Sequence, residues 1–122
     1  MTTARVLLVD DEVEFLEPIA TRLGRRGLDC TAATSGDQAL ATLATAAFDC
    51  AIVDVRMPDM DGLELLRRMR RGWPRTAVIL LTGHASIELG VKGMELGAFE
   101  YLLKPIEIDD LVDTVLRAAR PR

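Results

Sequence analysis

Short apolar runs alternate with segments of helical periodicity from one end of this chain to the other, and two of the runs stop at aspartates. Residues 5–10 read as a strand buried on both faces, the pattern of a parallel sheet. Leu16, Ile19, Ala20 and Leu23 then recur at helical spacing up to Gly27, with Pro18 placed near the first turn, where few donors are needed. Residues 29–33 form a second short strand, and Ser35 with Gln38 makes a capping box ahead of a helix carrying Ala39, Leu40 and Leu43. Residues 50–55 are a third strand that again reaches an acid. Pro58 and the Asp59-Met60-Asp61-Gly62 turn follow, and Asp61 and Glu64 have capping spacing for a helix through Arg71. Residues 77–82 are the most strand-like of all. Residues 86–96 are helical in period, with Ile87, Val91 and Met94 on one side and Gly97 as the closing glycine. Residues 99–102 make a fifth strand, and Ile108, Leu111, Val112, Val115 and Ala119 give the stripe of a last helix.

Strands alternating with helices throughout predict an α/β domain whose parallel sheet is covered on both faces. At 122 residues this is one domain, 1–122, and right-handed crossovers favour a doubly wound five-stranded sheet in the order 2-1-3-4-5 with five helices. No apolar run approaches the ~18 residues of a membrane span, and the first residues carry no signal-peptide core, so no membrane association is expected. Cys30 and Cys50 read as small core residues in a reducing compartment, which places the protein in the cytoplasm. The net charge of −4 argues against a domain-wide match to nucleic acid. The basic run around Arg67, Arg68, Arg70 and Arg71 reads as the solvated side of a helix whose Leu65, Leu66 and Met69 face the sheet. No direct nucleic acid contact by this domain is expected.

In a sheet of this order, ligands bind beyond the carboxyl ends of the strands, near the switch in strand order. Asp10, Asp11 and Asp54 fall at that edge. Three carboxylates so close repel one another, so either some hold protons or a cation sits among them, and hard oxygen ligands of this kind favour Mg²⁺. Thr82 ends the fourth strand and Lys104 follows the fifth. Lysine occurs only twice among fifteen basic residues, at Lys92 and Lys104. A lysine and a hydroxyl beside the acids complete an anion-plus-metal site.

These residues, in their order, resemble the receiver domain of two-component response regulators. The resemblance rests on Val9-Asp10-Asp11-Glu12, on the stretch from Val53-Asp54-Val55-Arg56-Met57-Pro58 to Gly62, on Leu81-Thr82-Gly83, and on Gly97-Ala98-Phe99-Glu100-Tyr101-Leu102-Leu103-Lys104-Pro105. The intervals of 43, 28 and 22 residues that separate Asp11, Asp54, Thr82 and Lys104 fit as well. The resemblance covers essentially the whole chain and implies a flavodoxin-like fold. It implies that Asp54 is the nucleophile that takes a phosphoryl group from a histidine kinase or phosphotransfer protein. Mg²⁺ would be bound by Asp11 and Asp54, by Asp10 through water, and by the Arg56 carbonyl. Lys104 and Thr82 would contact the phosphoryl oxygens, Thr82 and Tyr101 would form the switch, and Arg56 and His84 would modulate dephosphorylation. Pro105 would follow a cis Lys104–Pro105 bond.

The implied protein is a phosphorylation-dependent switch whose only catalysis is of its own phosphoryl transfer and dephosphorylation. Its surface of helix four, strand five and helix five would pair in a homodimer and control an output, of the transcriptional kind. A dehalogenase-type aspartyl-phosphate hydrolase wants an acid two residues after the nucleophile, where this chain has Arg56. A flavin mononucleotide carrier wants a Ser/Thr/Gly-rich first loop, where Asp10-Asp11-Glu12 would repel the phosphate.

Overall fold

A computed structural model of the protein describes residues 3–120, apart from the side chain of His84. The elements run β1 (Arg5–Val9), α1 (Val13–Arg25), β2 (Asp29–Ala33), α2 (Gly36–Leu43), β3 (Cys50–Asp54), α3 (Gly62–Gly72), β4 (Ala77–Thr82), α4 (Ile87–Glu95), β5 (Glu100–Leu103) and α5 (Ile108–Ala118). A single 3₁₀ turn, His84–Ser86, leads into α4. The five strands are parallel in the order β2-β1-β3-β4-β5, the expected doubly wound sheet.

The apolar runs become strands because both faces of the sheet are covered. On one side Leu7, Val9, Ala51, Val53, Val78 and Leu80 pack under α2, α3 and α4. On the other side Val6, Leu8, Ile52, Ile79 and Leu81 pack under α1 and α5. Alternate residues of β1, β3 and β4 therefore serve two separate apolar layers, which removes the polar half of the usual strand alternation. Cys50 lies fully inside and Cys30 is half-buried. Burial, helped by Asp29, pushes the Cys30 thiol up to about 11, and burial, helped by Asp49, pushes the Cys50 thiol up to about 12, so both groups stay protonated near neutral pH.

Local signals close the elements where they were expected. Ser35 Oγ accepts from Gln38 N–H at 3.0 Å, and an Asp61 carboxylate oxygen accepts from Glu64 N–H at 2.8 Å. Gly27 and Gly97 end α1 and α4 at φ 86° and 104°, conformations that side chains resist. Among the described residues, no helix is long and apolar enough to cross a membrane.

Two local expectations are corrected, and the packed side of α4 is settled. Pro18 lies a turn deeper in α1 than expected, where its ring faces solvent. Strand β5 starts and stops one residue later than residues 99–102. The side of α4 that carries Ile87, Val91 and Met94 is the exposed one, and its buried face is Gly90 and Gly93. A Cβ at Gly93 would lie 2.1 Å from Leu80 Cδ1, and one at Gly90 would lie 2.7 Å from the Tyr101 ring. The helix meets the sheet closely because it offers no side chains there.

Candidate functional site

Parallel register brings the strand ends together. Val9 pairs with Val53, and Asp54 with Leu81, so Asp10 and Asp54 emerge side by side at the carboxyl edge. The Lys104 N–H donates to the Thr82 carbonyl at 2.8 Å, fixing the exits of β4 and β5 next to each other. A cavity of about 350 Å³ opens over this edge, lined by Asp11, Glu12, Asp54, Arg56, Thr82 and Lys104 among others.

Asp10 and Asp54 are both buried. One Asp10 oxygen accepts from the Glu12 N–H at 2.9 Å, and the other accepts from Lys104 Nζ at 3.1 Å. Asp54 Oδ1 accepts from the Arg56 N–H at 3.1 Å, and its Oδ2 lies 3.6 Å from Lys104 Nζ. Burial first, and the neighbouring Asp10 second, push the Asp54 carboxyl up to about 6 against the opposite pull of Lys104 and the Arg56 N–H. For Lys104, burial alone would favour loss of its proton, but Asp54 and Asp10 outweigh this and hold its pKa above the ordinary value.

Carboxylate oxygens of Asp10, Glu12 and Asp54 all lie within 4.8 Å of one another. Lys104 offers one positive charge against these three acids. Hard oxygen donors gathered in excess of the local cation are the donor set of a Mg²⁺ site, and the residues present fit that ion. The ligand set implied by the resemblance is Asp10, Asp11, Asp54 and the Arg56 carbonyl, and Glu12 is an addition to it. Asp11 and Glu12 are both exposed and both line the cavity, and a carboxylate oxygen of Glu12, at the N-cap of α1, also reaches the buried pair.

The Thr82 hydroxyl is buried and has no hydrogen-bond partner among the described residues. An orphaned donor at the mouth of a cavity is costly unless something binds there in another state. Tyr101 is half-buried on β5, against α4 where Gly90 leaves room for its ring. The Arg56 guanidinium donates to the Ser86 hydroxyl, which ties the exit of β3 to the start of α4. The Lys104–Pro105 peptide is cis, as expected. His84 begins the 3₁₀ turn, and its side chain lies outside the described residues. One contact escaped the motif analysis: Lys104 Nζ stands 4.4 Å from the centroid of the Phe15 ring.

A doubly wound parallel sheet, an acid cluster at its switch point, and a lysine and an orphaned threonine on the neighbouring strands define the receiver class. A profile of the response regulator receiver domain matches residues 6–116, and the chain belongs to that family. The regulatory protein AtoC of Escherichia coli (strain K12) is 39% identical over 114 residues, which cover 93% of this chain and 25% of AtoC. The DNA-binding transcriptional regulator NtrC of Salmonella typhimurium is 39% identical over 113 residues, 93% of this chain and 24% of NtrC. The chain thus spans about a quarter of the length of these curated relatives. Among solved structures, a receiver domain protein from Clostridium thermocellum superposes with a TM-score of 0.90 at 35% identity, covering 95% of this chain and 94% of that one. The receiver domain of NtrX from Brucella abortus gives 0.88 at 31% identity, covering 93% and 97%. As a receiver domain, the chain is a phosphorylation switch of two-component signalling.

Proposed function

We propose that Asp54 is the phosphoacceptor, and that the observation carrying this reading is its place: a buried carboxylate at a strand end, flanked by acids, within ion-pair distance of Lys104 and facing the cavity. A carboxylate oxygen of Asp54 attacks the phosphorus of a phosphohistidine on a histidine kinase or phosphotransfer protein. The P–N bond breaks, and its electron pair returns to the imidazole. Asp10, Asp11 and Asp54, the Arg56 carbonyl and, from the geometry, Glu12 would hold Mg²⁺. When bound, the ion supplies charge neutralisation for the acceptor and the incoming phosphoryl oxygens. Lys104 pairs with a phosphoryl oxygen, and the Thr82 hydroxyl donates to another. Arg56 and His84 govern the approach of water, which makes the protein a catalyst only of its own phosphorylation and dephosphorylation.

The test is labelling by acetyl phosphate with Mg²⁺. One phosphoryl group is expected on the wild type, mapped to Asp54, and none on Asp54→Asn or after chelation. Equal labelling of the Asn variant would refute the assignment.

We assign output to the α4–β5–α5 surface. Thr82 drawn toward the phosphoryl group vacates space beside Tyr101, and α4 shifts. The exposed Ile87, Val91 and Met94 then offer the apolar part of a homodimer contact. Asp109, Asp110 and Asp113 of α5 with Lys92, Arg117 and Arg120 would be the charges to pair across that dimer, and some are already engaged within the chain: Asp113 with Arg117, and Asp109 with Arg26. Lys92, Asp110 and Arg120 are the remaining members of that set. Relatives named as transcriptional regulators support a transcriptional output and a cytoplasmic setting. DNA contact would belong to another part of such a regulator, with residues 1–122 as the single receiver domain.

Thr82→Val is expected to raise resting stability by about 1 kcal/mol, because a methyl replaces a buried hydroxyl without a partner. Urea unfolding checks this. The same variant should bind beryllofluoride yet gain less self-association than wild type by light scattering.

A further inference from the structure

We propose that Phe15 is a positioning residue for Lys104, its ring face serving as the third support of the ammonium that meets the phosphoryl group. The inference rests on the phosphoacceptor reading above. Lys104 leaves the edge strand β5, and its Nζ stands at the carboxylates of β1 and β3. Nζ lies 3.1 Å from Asp10 Oδ2, 3.6 Å from Asp54 Oδ2 and 4.4 Å from the Phe15 ring centroid. Phe15 sits in the first turn of α1, immediately after the acid loop, and packs half-buried against the layer under α1 and α5. One side of the ring system thus belongs to the core, and its face is turned to the cation.

The chemistry of that support matters for the step. The face of an aromatic ring attracts a cation through its quadrupole without carrying a net charge. A further carboxylate here would add repulsion to a site where Asp10, Glu12 and Asp54 already crowd. An amide or hydroxyl would hold Nζ through a directional bond that weakens as soon as the ammonium moves. The ring's attraction is broad in angle and leaves all three N–H donors for oxygen atoms. Lys104 can therefore exchange the Asp54 carboxylate for a phosphoryl oxygen while it stays held beside the acceptor. An aliphatic residue at position 15 would pack the core equally but lend the ammonium nothing.

The experiment measures the acetyl phosphate labelling rate at Asp54 for wild type, Phe15→Leu and Phe15→Tyr, each in the native and the Lys104→Met background. Phe15→Leu is expected to slow labelling about three- to tenfold and to weaken beryllofluoride binding by a similar factor. Phe15→Tyr, which keeps the ring, is expected to stay within about twofold of wild type. In the Lys104→Met background the Leu and Phe forms should label at the same rate, because the ring then has no cation to hold. A residue that only packs the core would instead slow both backgrounds alike. If Phe15→Leu folds poorly, replacing Phe15 by pentafluorophenylalanine keeps the shape and inverts the quadrupole, and the same loss is expected. Phe15→Leu or the fluorinated form labelling as fast as wild type, or an equal loss in both backgrounds, overturns the inference. Failure of wild type itself to label at Asp54 would strike the phosphoacceptor reading instead.

Discussion

In metal-free buffer at pH 7, Asp54→Asn is expected to be about 2–3 kcal/mol more stable than wild type. Burial and Asp10 raise the Asp54 carboxyl from its ordinary 3.8 to about 6 in the folded protein. Below pH 4 both folded and unfolded chains hold the proton, and the charge costs nothing. Between about 4 and 6 the unfolded chain releases it first, so stability falls as pH rises, and above 6 the whole deficit is present. Each pH unit of that window corresponds to ~1.4 kcal/mol. Asparagine has no proton to lose, so its advantage should vanish near pH 3.5 and be full at neutrality. Lys104 also bonds Asp10, at 3.1 Å, and so retains an acid partner when Asp54 is replaced. Urea unfolding from pH 3.5 to 7.5 with a chelator checks the curve. An advantage independent of pH would place its source in packing rather than charge. The charge that the proposed acceptor role of Asp54 requires would thus be held at a cost to the fold.

Gly62→Ala is expected to lose about 2–3 kcal/mol and to slow phosphorylation as well. A Cβ at Gly62 would lie 2.6 Å from the Asp54 carbonyl oxygen and 2.7 Å from Val55 Cα, both backbone atoms. The Gly62 N–H also donates to the Val55 carbonyl at 2.8 Å, so neither partner can withdraw alone. Relief requires the end of β3 to move, and Asp54 moves with it. The same substitution at Gly24, in α1, meets nothing within 4 Å. There alanine should stabilise by up to ~1 kcal/mol through helix propensity alone. Urea unfolding of the pair, beside acetyl phosphate labelling, checks both. Gly62→Ala behaving like Gly24→Ala would show that the α3 start can retreat from β3 freely.

The doubly wound sheet was legible because strands covered on both faces leave uninterrupted apolar runs, as residues 77–82 do, and because Asp10 and Asp54 mark where two of them stop. The site's main members could be found the same way, since parallel register turns strand ends into neighbours. What stayed hidden depends on contact rather than pattern. The period of residues 86–96 groups Ile87, Val91 and Met94 on one side, but period alone does not say which side turns inward. The glycines that form the buried face carry almost no hydropathy signal. That Glu12 also reaches Asp10 and Asp54 depends on how the chain turns after β1, where the Glu12 N–H donates to an Asp10 carboxylate oxygen. Phe15 reads as one more core residue until Lys104 is seen over its ring.

The two glycines of α4 also set how that helix can travel. Ordinary helix packing fits ridges of side chains into grooves, so a helix is held from its own side. In α4 the roles are reversed: the sheet supplies the knobs, Leu80 at Gly93 and Tyr101 at Gly90, and the helix supplies the sockets. The knobs differ in freedom. Leu80 is wholly enclosed in the core, whereas Tyr101 is half-exposed on the last strand. A turn of the Tyr101 ring therefore empties one socket and leaves the other filled. The motion this permits is a swing of the N-terminal half of α4 about a pin at Gly93, with Ile87 sweeping the longest arc and Met94 nearly still.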